Sequence, residues 1–515
     1  MKTYHLLAAT FLILCNFSLN YGYNILALFP HPGISHFYFF QPLLKELARK
    51  GHNLTVVSNF PEKNPIKNYI DITLSDNVMK EDIELGIFEL IGKPPPIATF
   101  FKINSWGLEA CEIAVKSNAV QKILNPESKY DLVLIEQFNN DCMLGIAYLK
   151  NAPVIGLSSS SILPWHYRRM GSPFITSYMP DVLLGISENM SFVNRLTNWF
   201  CYHLSNLMYR YLTQPATNKI LRKYLNESLP DVQDLSEKIK LMLVNQHYSF
   251  SGAKPWSPSV IEVSGLQIQD PKPLDEKFKK ILDSSKNGVI YISWGSLIRS
   301  DSLPIPKREA ILRALSKLQY TVLWKWENGT IPNCPKNVHI FKWMPQRDIL
   351  SHPNVKVFMN HGGLLGTTES IYNGVPMVTT PILGDQFLNA AAVENRKIGV
   401  ILPFTEITEE NVIKALEVAL SSEYQTNAKS VSLVYKSRPD TPLNTAVWWV
   451  EHVAHMKGYI LTESKATELP WYIYYSCDIY LAVFIIILLI YYLIKLFIKL
   501  IRLIRNFRRE KQKKN

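Results

Sequence analysis

The chain runs to 515 residues, 47% of them hydrophobic and 19% charged, with a formal net charge of +12. That size suggests two to four domains, and the balanced composition excludes a disordered, collagen-like or small disulfide-stapled protein. From Lys495 onward there are nine Lys/Arg against the single acid Glu510; apart from Lys2, the rest carries 45 basic and 42 acidic residues. A nucleic-acid binder needs a basic stripe on its folded face, so charge gathered at one end argues against nucleic acid as a partner.

Residues 1–22 open with Lys2 and a short apolar run from Leu6 to Cys15, the pattern of a secretory signal segment. Asn24-Ile25-Leu26-Ala27-Leu28-Phe29 then predicts a buried strand, and Pro30-His31-Pro32-Gly33-Ile34-Ser35 a turn. Apolar residues at Phe37, Phe40, Leu43, Leu44, Leu47 and Ala48 follow a helical period that Gly51 ends. Leu54-Thr55-Val56-Val57-Ser58 is the next strand, completing a βαβ unit and pointing to a parallel sheet. The pattern returns at Asp131-Leu132-Val133-Leu134-Ile135, a helix, and Val154-Ile155-Gly156-Leu157. Residues 158–235 loosen into aromatic helical stretches such as Trp199-Phe200-Cys201-Tyr202-His203-Leu204. These read either as core helices or as pocket walls or a surface lying against a membrane.

Pro255, Pro258, Pro271 and Pro273 mark a linker, taken as 254–275, between an N-terminal domain at 23–253 and a C-terminal one at 276–460. The second domain has its own strand series, beginning at Gly288-Val289-Ile290-Tyr291-Ile292-Ser293 and continuing through Tyr320-Thr321-Val322-Leu323-Trp324, Val338-His339-Ile340 and Val355-Lys356-Val357-Phe358-Met359. After a juxtamembrane stretch at 461–478, residues 479–498 form an apolar run of about 20, enough to cross a ~30 Å hydrocarbon core. Trp471, Tyr472, Tyr474 and Tyr475 precede it as an interfacial belt, and the basic tail at 499–515 follows. The positive-inside rule places that tail in the cytoplasm and the body in a lumen. Lys511-Gln512-Lys513-Lys514-Asn515 resembles an endoplasmic-reticulum retrieval signal. Sequons at Asn189, Asn226 and Asn328 agree with a lumenal body, while that at Asn53 opens a strand and reads as a chance match. Cys111, Cys142, Cys201 and Cys334 would face an oxidising lumen, with no pairing readable from their spacing.

Two βαβ domains across a linker bind ligands at the carboxyl ends of their strands. GxGxxG and GxxxxGKS are both absent, which argues against dinucleotide and P-loop sites. The informative run is Phe358-Met359-Asn360-His361-Gly362-Gly363-Leu364-Leu365-Gly366-Thr367-Thr368-Glu369-Ser370. A strand ends, a glycine turn opens a helix, and free amides with the positive dipole end suit a phosphate. His361 adds a donor, Glu369 can accept from vicinal hydroxyls, and Asp385-Gln386 offers an acid and an amide beyond the next strand. In Lys342-Trp343-Met344-Pro345-Gln346 an indole can stack on a base and an amide can read its edge.

These residues resemble the signature of the UDP-dependent glycosyltransferases, the family of animal UDP-glucuronosyltransferases and insect UDP-glucosyltransferases. The resemblance covers most of the chain and is densest over 293–386. It implies an α/β GT-B fold, two Rossmann-like domains facing a cleft, with the N-terminal one taking the acceptor and the C-terminal one the UDP-sugar. By position it puts Trp343 on uracil with Gln346 beside it, and His361 with the amides around Gly363, Leu365 and Gly366 on the diphosphate, which Ser296 approaches. Glu369 then takes the ribose hydroxyls, and Asp385 with Gln386 the sugar hydroxyls. Leu365 stands where many members have asparagine, so one side-chain contact is missing and tuned affinity is expected.

The base must come from the N-terminal domain. His36, at the hand-over from first strand to helix, is placed as a crevice-facing base, and a helix N-terminus favours its neutral ring. The resemblance selects the same residue; His31 is the weaker candidate. Glu136, ending its strand, aligns with the family's aspartate as the partner that fixes the tautomer, with Asp141 as the alternative.

The resulting expectation is an inverting, membrane-anchored lumenal UDP-glycosyltransferase that transfers a hexose, preferably glucose, to hydroxyls of small lipophilic acceptors, needing no metal and no cofactor beyond the UDP-sugar co-substrate. Glucuronate as the sugar, glycolipid or sterol acceptors, and a catalytically silent binding protein are the alternatives. Self-association into a homo-oligomer is compatible with this reading.

Overall fold

A computed structural model describes residues 22–74, 96–138, 141–296 and 298–514. The expected signal segment therefore lies outside the described residues except for Gly22. The chain divides into two units, Met1–Glu463 and Ser464–Asn515.

The first unit holds two parallel sheets. One is built from β1 (Asn24–Leu28), β2 (Asn53–Ser58), β3 (Tyr69–Thr73), β4 (Leu132–Glu136), β5 (Val154–Ser158), β6 (Ile239–Val244) and β7 (Val260–Glu262), in the order β3-β2-β1-β4-β5-β6-β7. The other contains β8 (Val289–Ile292), β9 (Thr321–Lys325), β10 (Val338–Phe341), β11 (Val355–Asn360), β12 (Met377–Thr379) and β13 (Gly399–Ile401), in the order β10-β9-β8-β11-β12-β13. Strands such as Leu132–Glu136 and Val154–Ser158 are buried throughout, because helices cover both faces of a parallel sheet. Alternate residues accordingly enter different cores: Val133 and Ile135 pack on one face of the first sheet, Leu132 and Leu134 on the other.

Each sheet reverses its strand order once, between β1 and β4 and between β8 and β11. Such switch points leave a crevice at the carboxyl ends of the strands. Helix α1 (Ile34–Arg49) leaves β1, and Phe37, Phe40, Leu43, Leu44 and Leu47 bury its apolar stripe on the sheet. Helix α2 (Pro96–Lys116) is tied by a Cys111–Cys142 disulfide to the start of α3 (Met143–Leu149), shortly after β4.

The chain path departs from the expected boundaries twice. The segment read as a linker includes β7, which pairs with β6 as the edge strand of the first sheet. Past the second sheet, a helix at Pro442–His455 returns to the first half, burying Ala446, Val447, Val450, Val453 and Ala454 beside Phe37 and Leu44. Glu451 on that helix meets Lys50 Nζ (2.7 Å) and His52 Nε2 (3.0 Å). An apolar stripe at helical spacing needs a partner, and the face of the first sheet is where it finds one.

In the second unit, one helix spans Cys477–Lys514, and every residue from 478 to 500 is exposed. An 18-residue window in it has a mean hydropathy of 2.8, long and apolar enough to cross a membrane.

Candidate active site

His36 is the third residue of α1, whose N-terminus no side chain caps. Its Nδ1 lies 2.6 Å from Glu136 Oε1, and Ser159 Oγ lies 2.8 Å from the same nitrogen and 3.5 Å from that oxygen. Strand parity explains the meeting: Glu136 shares the face of Leu132 and Leu134, and Ser159 that of Ile155 and Leu157, the face on which α1 packs. A ring cage completes the site. His31 stacks on His36 with centroids 4.3 Å apart, and Phe138 presents itself at 4.4 Å from His36 and 5.0 Å from His31. Gly33 N–H donates to His31 Nδ1 (2.9 Å), so a neutral His31 carries its proton on Nε2.

Burial dominates the electrostatics. It lowers His36 to about 4 and His31 to about 3, and raises Glu136 to about 7. The His36 ring is therefore neutral at pH 7. With Glu136 ionised, its carboxylate accepts the Nδ1 proton and leaves Nε2 as the ring's basic nitrogen.

Asp141, the alternative acid, is engaged elsewhere. It takes both Arg169 nitrogens, at 2.8 and 3.0 Å, and the Tyr209 hydroxyl at 2.6 Å. This buried ion pair holds Asp141 well ionised, and none of its bonds reaches His36.

The second switch point carries the other candidates. After β8, Gly295 has φ +79°, and a Cβ there would stand 2.7 Å from the His361 ring; Ser296 follows, exposed. After β11, a Cβ on Gly363 would stand 2.4 Å from His361 Nε2. The His361 ring thus fills a slot that only two glycines leave open. Its Nδ1 is buried and unbonded, and burial beside Lys325 lowers its pKa to about 4. Helix α4 (Leu364–Asn373) begins here with no side-chain cap, so its first amides, through Leu365 and Gly366, are unclaimed by side chains. The Leu365 side chain packs against the core of the first sheet, a contact that asparagine would not make as well.

Trp343 is 70% exposed, with Lys325 Nζ 5.9 Å from its ring. Gln346 Nε2 donates to Glu369 Oε2 (2.7 Å), so these two candidates adjoin, and burial raises Glu369 to about 7. Asp385 precedes helix α5 (Gln386–Asn395), and its Oδ2 accepts from Asn389 Nδ2 (3.1 Å). Gln386 Oε1 accepts from the Ile382 and Leu383 amides (2.9 and 3.1 Å), leaving its Nε2 as the group free to donate. Asp385 and His36, from the two halves of the unit, act on each other electrostatically.

Three residues join the site without having been singled out in the sequence. Ser159 touches both His36 and Glu136; its signal was a place just after a buried strand adjacent to β4. Asn389 bridges Asp385 and the Gly362 carbonyl (2.9 Å). Lys325, ending β9, donates to Gly295 O (2.7 Å) and pairs with Glu327 (3.0 Å). Among the described residues no three His, Cys, Asp or Glu side chains converge as a metal-ligand set.

Residues 28–514 match the family described as UDP-glucoronosyl and UDP-glucosyl transferase. UDP-glycosyltransferase UGT5 of Dactylopius coccus is 36% identical over 497 residues, covering 94% of each chain. UDP-glucosyltransferase 2 of the same insect is 33% identical over 463 residues, covering 89% of each. The solved structure of a UDP-glucose: anthocyanidin 3-O-glucosyltransferase in complex with UDP superimposes with a TM-score of 0.54 at 18% identity, covering 84% of this chain and 99% of that one. The fold is GT-B.

Proposed function

The chain belongs to the UDP-glucoronosyl and UDP-glucosyl transferase family and is a UDP-sugar-dependent glycosyltransferase, and from that premise we propose how its residues divide the work. His36 Nε2 takes the proton of an acceptor hydroxyl. The oxygen lone pair attacks the anomeric carbon, the bond from that carbon to the UDP oxygen breaks, and UDP leaves with the electron pair. A single displacement inverts the anomeric centre. Glu136 holds the His36 tautomer and stabilises the imidazolium that forms. The observation that carries this reading is the 2.6 Å contact between His36 and Glu136 at one switch point.

Across the cleft, Trp343 stacks on uracil, Gln346 reads beside it, and Glu369 accepts from the ribose. Ser296, His361 and the amides of Gly363, Leu365 and Gly366 receive the diphosphate, where helix-end dipoles suit anionic charge. Asp385 and Gln386 bind the sugar hydroxyls. Replacing His361 with alanine removes a hydrogen bond to a charged oxygen, worth about 1.5–3 kcal/mol, so UDP affinity should fall roughly ten- to a hundredfold. Titration calorimetry with UDP checks this; unchanged affinity would remove His361 from the diphosphate site.

Glucose is the favoured sugar. Lys325 is committed to Gly295 O and Glu327, and Arg169 to Asp141, so neither is available to a sugar carboxylate, whereas Asp385 suits neutral hydroxyls. Acceptors are small and lipophilic, matching the ring cage around His36. A donor screen with UDP-glucose, UDP-glucuronate and UDP-N-acetylglucosamine against one simple phenol should show fastest transfer from UDP-glucose. Faster transfer from UDP-glucuronate would reverse the assignment.

The Cys477–Lys514 helix serves as a single-pass anchor, with its basic tail cytoplasmic and the catalytic body in the lumen of the endoplasmic reticulum. Exposed sequon residues Asn189, Asn226 and Asn328 support that side, as does the Cys111–Cys142 bridge, which suits an oxidising compartment.

A further inference from the structure

Lys325 is the last residue of β9, and Glu327 follows on the same side of the extended chain, with Trp326 buried in the core between them. The two side chains pair at 3.0 Å, and the lysine is buried. A buried lysine–carboxylate pair adds little net stability, because desolvation offsets its attraction. Its place beside the second switch point therefore calls for another use.

That use shows in what the pair holds. Lys325 Nζ donates to Gly295 O (2.7 Å). The other oxygen of the carboxylate, Glu327 Oε2, accepts from Ser300 N–H (2.7 Å) and Asp301 N–H (3.3 Å). Trp324 Nε1, from the same strand, donates to Ser300 Oγ (3.2 Å). The chain that leaves β8 is thus gripped at Gly295 and again at Ser300. Gly295, at φ +79°, is also one of the two glycines that leave room for the His361 ring. In a planar trans peptide the carbonyl and the next N–H point in opposite directions. Capture of the Gly295 carbonyl by the ammonium therefore fixes the Ser296 N–H away from the lysine. The Trp343 ring, with its centroid 5.9 Å from Nζ, lies at the outer limit of a cation–π contact, so the backbone is the stronger partner.

We propose that Lys325 and Glu327 are positioning residues for the UDP-sugar, an ion-paired staple that fixes the Ser296 amide and the His361 slot in the arrangement that receives the diphosphate. The proposal rests on the donor-site reading given above. It makes the lysine act through the backbone rather than as a phosphate ligand, and the two roles predict opposite effects at Glu327. Removing an acid beside an anion site should strengthen anion binding if the freed lysine serves the phosphates itself. It should weaken binding if the acid is half of the staple, because in glutamine one end becomes a donor and either the lysine or the Ser300 amide loses its acceptor.

The test is titration calorimetry of the full-length protein with UDP and, separately, with uridine, which lacks the diphosphate. In Lys325→Met and in Glu327→Gln, UDP affinity should fall about tenfold while uridine affinity stays within about twofold. Lys325→Arg, which keeps the charge and the donors, should recover most of the UDP affinity. Glu327→Gln is nearly isosteric, so it carries the test alone if Lys325→Met does not fold. Tighter or unchanged UDP binding in Glu327→Gln overturns the staple, and so does an equal loss for uridine, which would place the effect on the base site or the fold. His361→Ala separates this proposal from its premise. If that variant loses UDP affinity while Lys325→Met and Glu327→Gln keep it, the staple fails and the donor site stands. If all three keep it, the donor-site reading fails and the proposal with it.

Discussion

Alanine at position 36 should lower kcat/KM by about 10²–10⁴-fold, the span general base catalysis typically supplies. UDP affinity should hardly change, because the residues proposed to hold the nucleotide lie beyond β8 and β11 in the other half of the unit. The split follows from where His36 sits. It leaves the first sheet at the β1/β4 reversal, its Nδ1 is committed to Glu136 and Ser159, and burial keeps it neutral at working pH. A neutral imidazole with one nitrogen fixed by a carboxylate offers the other as a base, and no group among its described neighbours duplicates that role. His31 stacks on it but gives its Nδ1 to Gly33 N–H, so it cannot substitute without losing that bond. Folding is controlled for by UDP titration: the ring lies between His31 and Phe138, and its loss leaves a void that retained UDP binding would show to be tolerated. Transfer at the wild-type rate would sink the mechanism.

Much of this arrangement can be read from local pattern. The β1–α1–β2 unit is visible because continuous apolar runs mark buried parallel strands and Gly51 closes the helix between them. His361 and its glycines are visible for a similar reason: a strand, a positive-φ turn and a helix start are local events. What stays hidden depends on partners far along the chain. The stripe at Ala446, Val447 and Val450 is legible, yet nothing near it says that it covers the first sheet rather than the second. The departure at Leu365 is legible as a missing amide, but its packing against the opposite half is not. Ser159 sits in a run of four serines that reads as loop, and only the adjacency of β4 and β5 turns it toward His36. Between Glu136 and Asp141, strand parity puts the first in contact with His36, and Arg169, 28 residues beyond Asp141, pairs with the second; neither partner is local in the sequence.

Glu136 should control the acid limb of the pH profile. Burial raises this carboxyl to about 7, with His31 and the Ser159 hydroxyl pulling the other way. The groups facing it are His31 and His36 from the β1–α1 turn and Ser159 after β5, with Asp385 acting across the cleft through His36. An ionised Glu136 accepts the Nδ1 proton and frees Nε2; a protonated one donates to Nδ1 and drives the ring proton onto Nε2, which destroys the base. Activity must therefore fall as pH drops through about 7, to about a tenth of its plateau one unit lower, with the apparent value belonging to the His–Glu pair. His36 itself adds no limb there, because its lowered value keeps it neutral well below pH 6. In Ser159→Ala the carboxylate loses a stabilising hydroxyl, so the limb should move to higher pH, and Ser159→Thr should restore it. Glu136→Gln enforces the wrong tautomer at every pH by donating its amide to Nδ1, with an expected loss of about 10²–10⁴-fold and no acid limb near 7. The measurement is kcat/KM from pH 5.5 to 8.5 for the three variants and the parent. A limb that persists in Glu136→Gln, or stays in place in Ser159→Ala, would transfer control of the proton to another group.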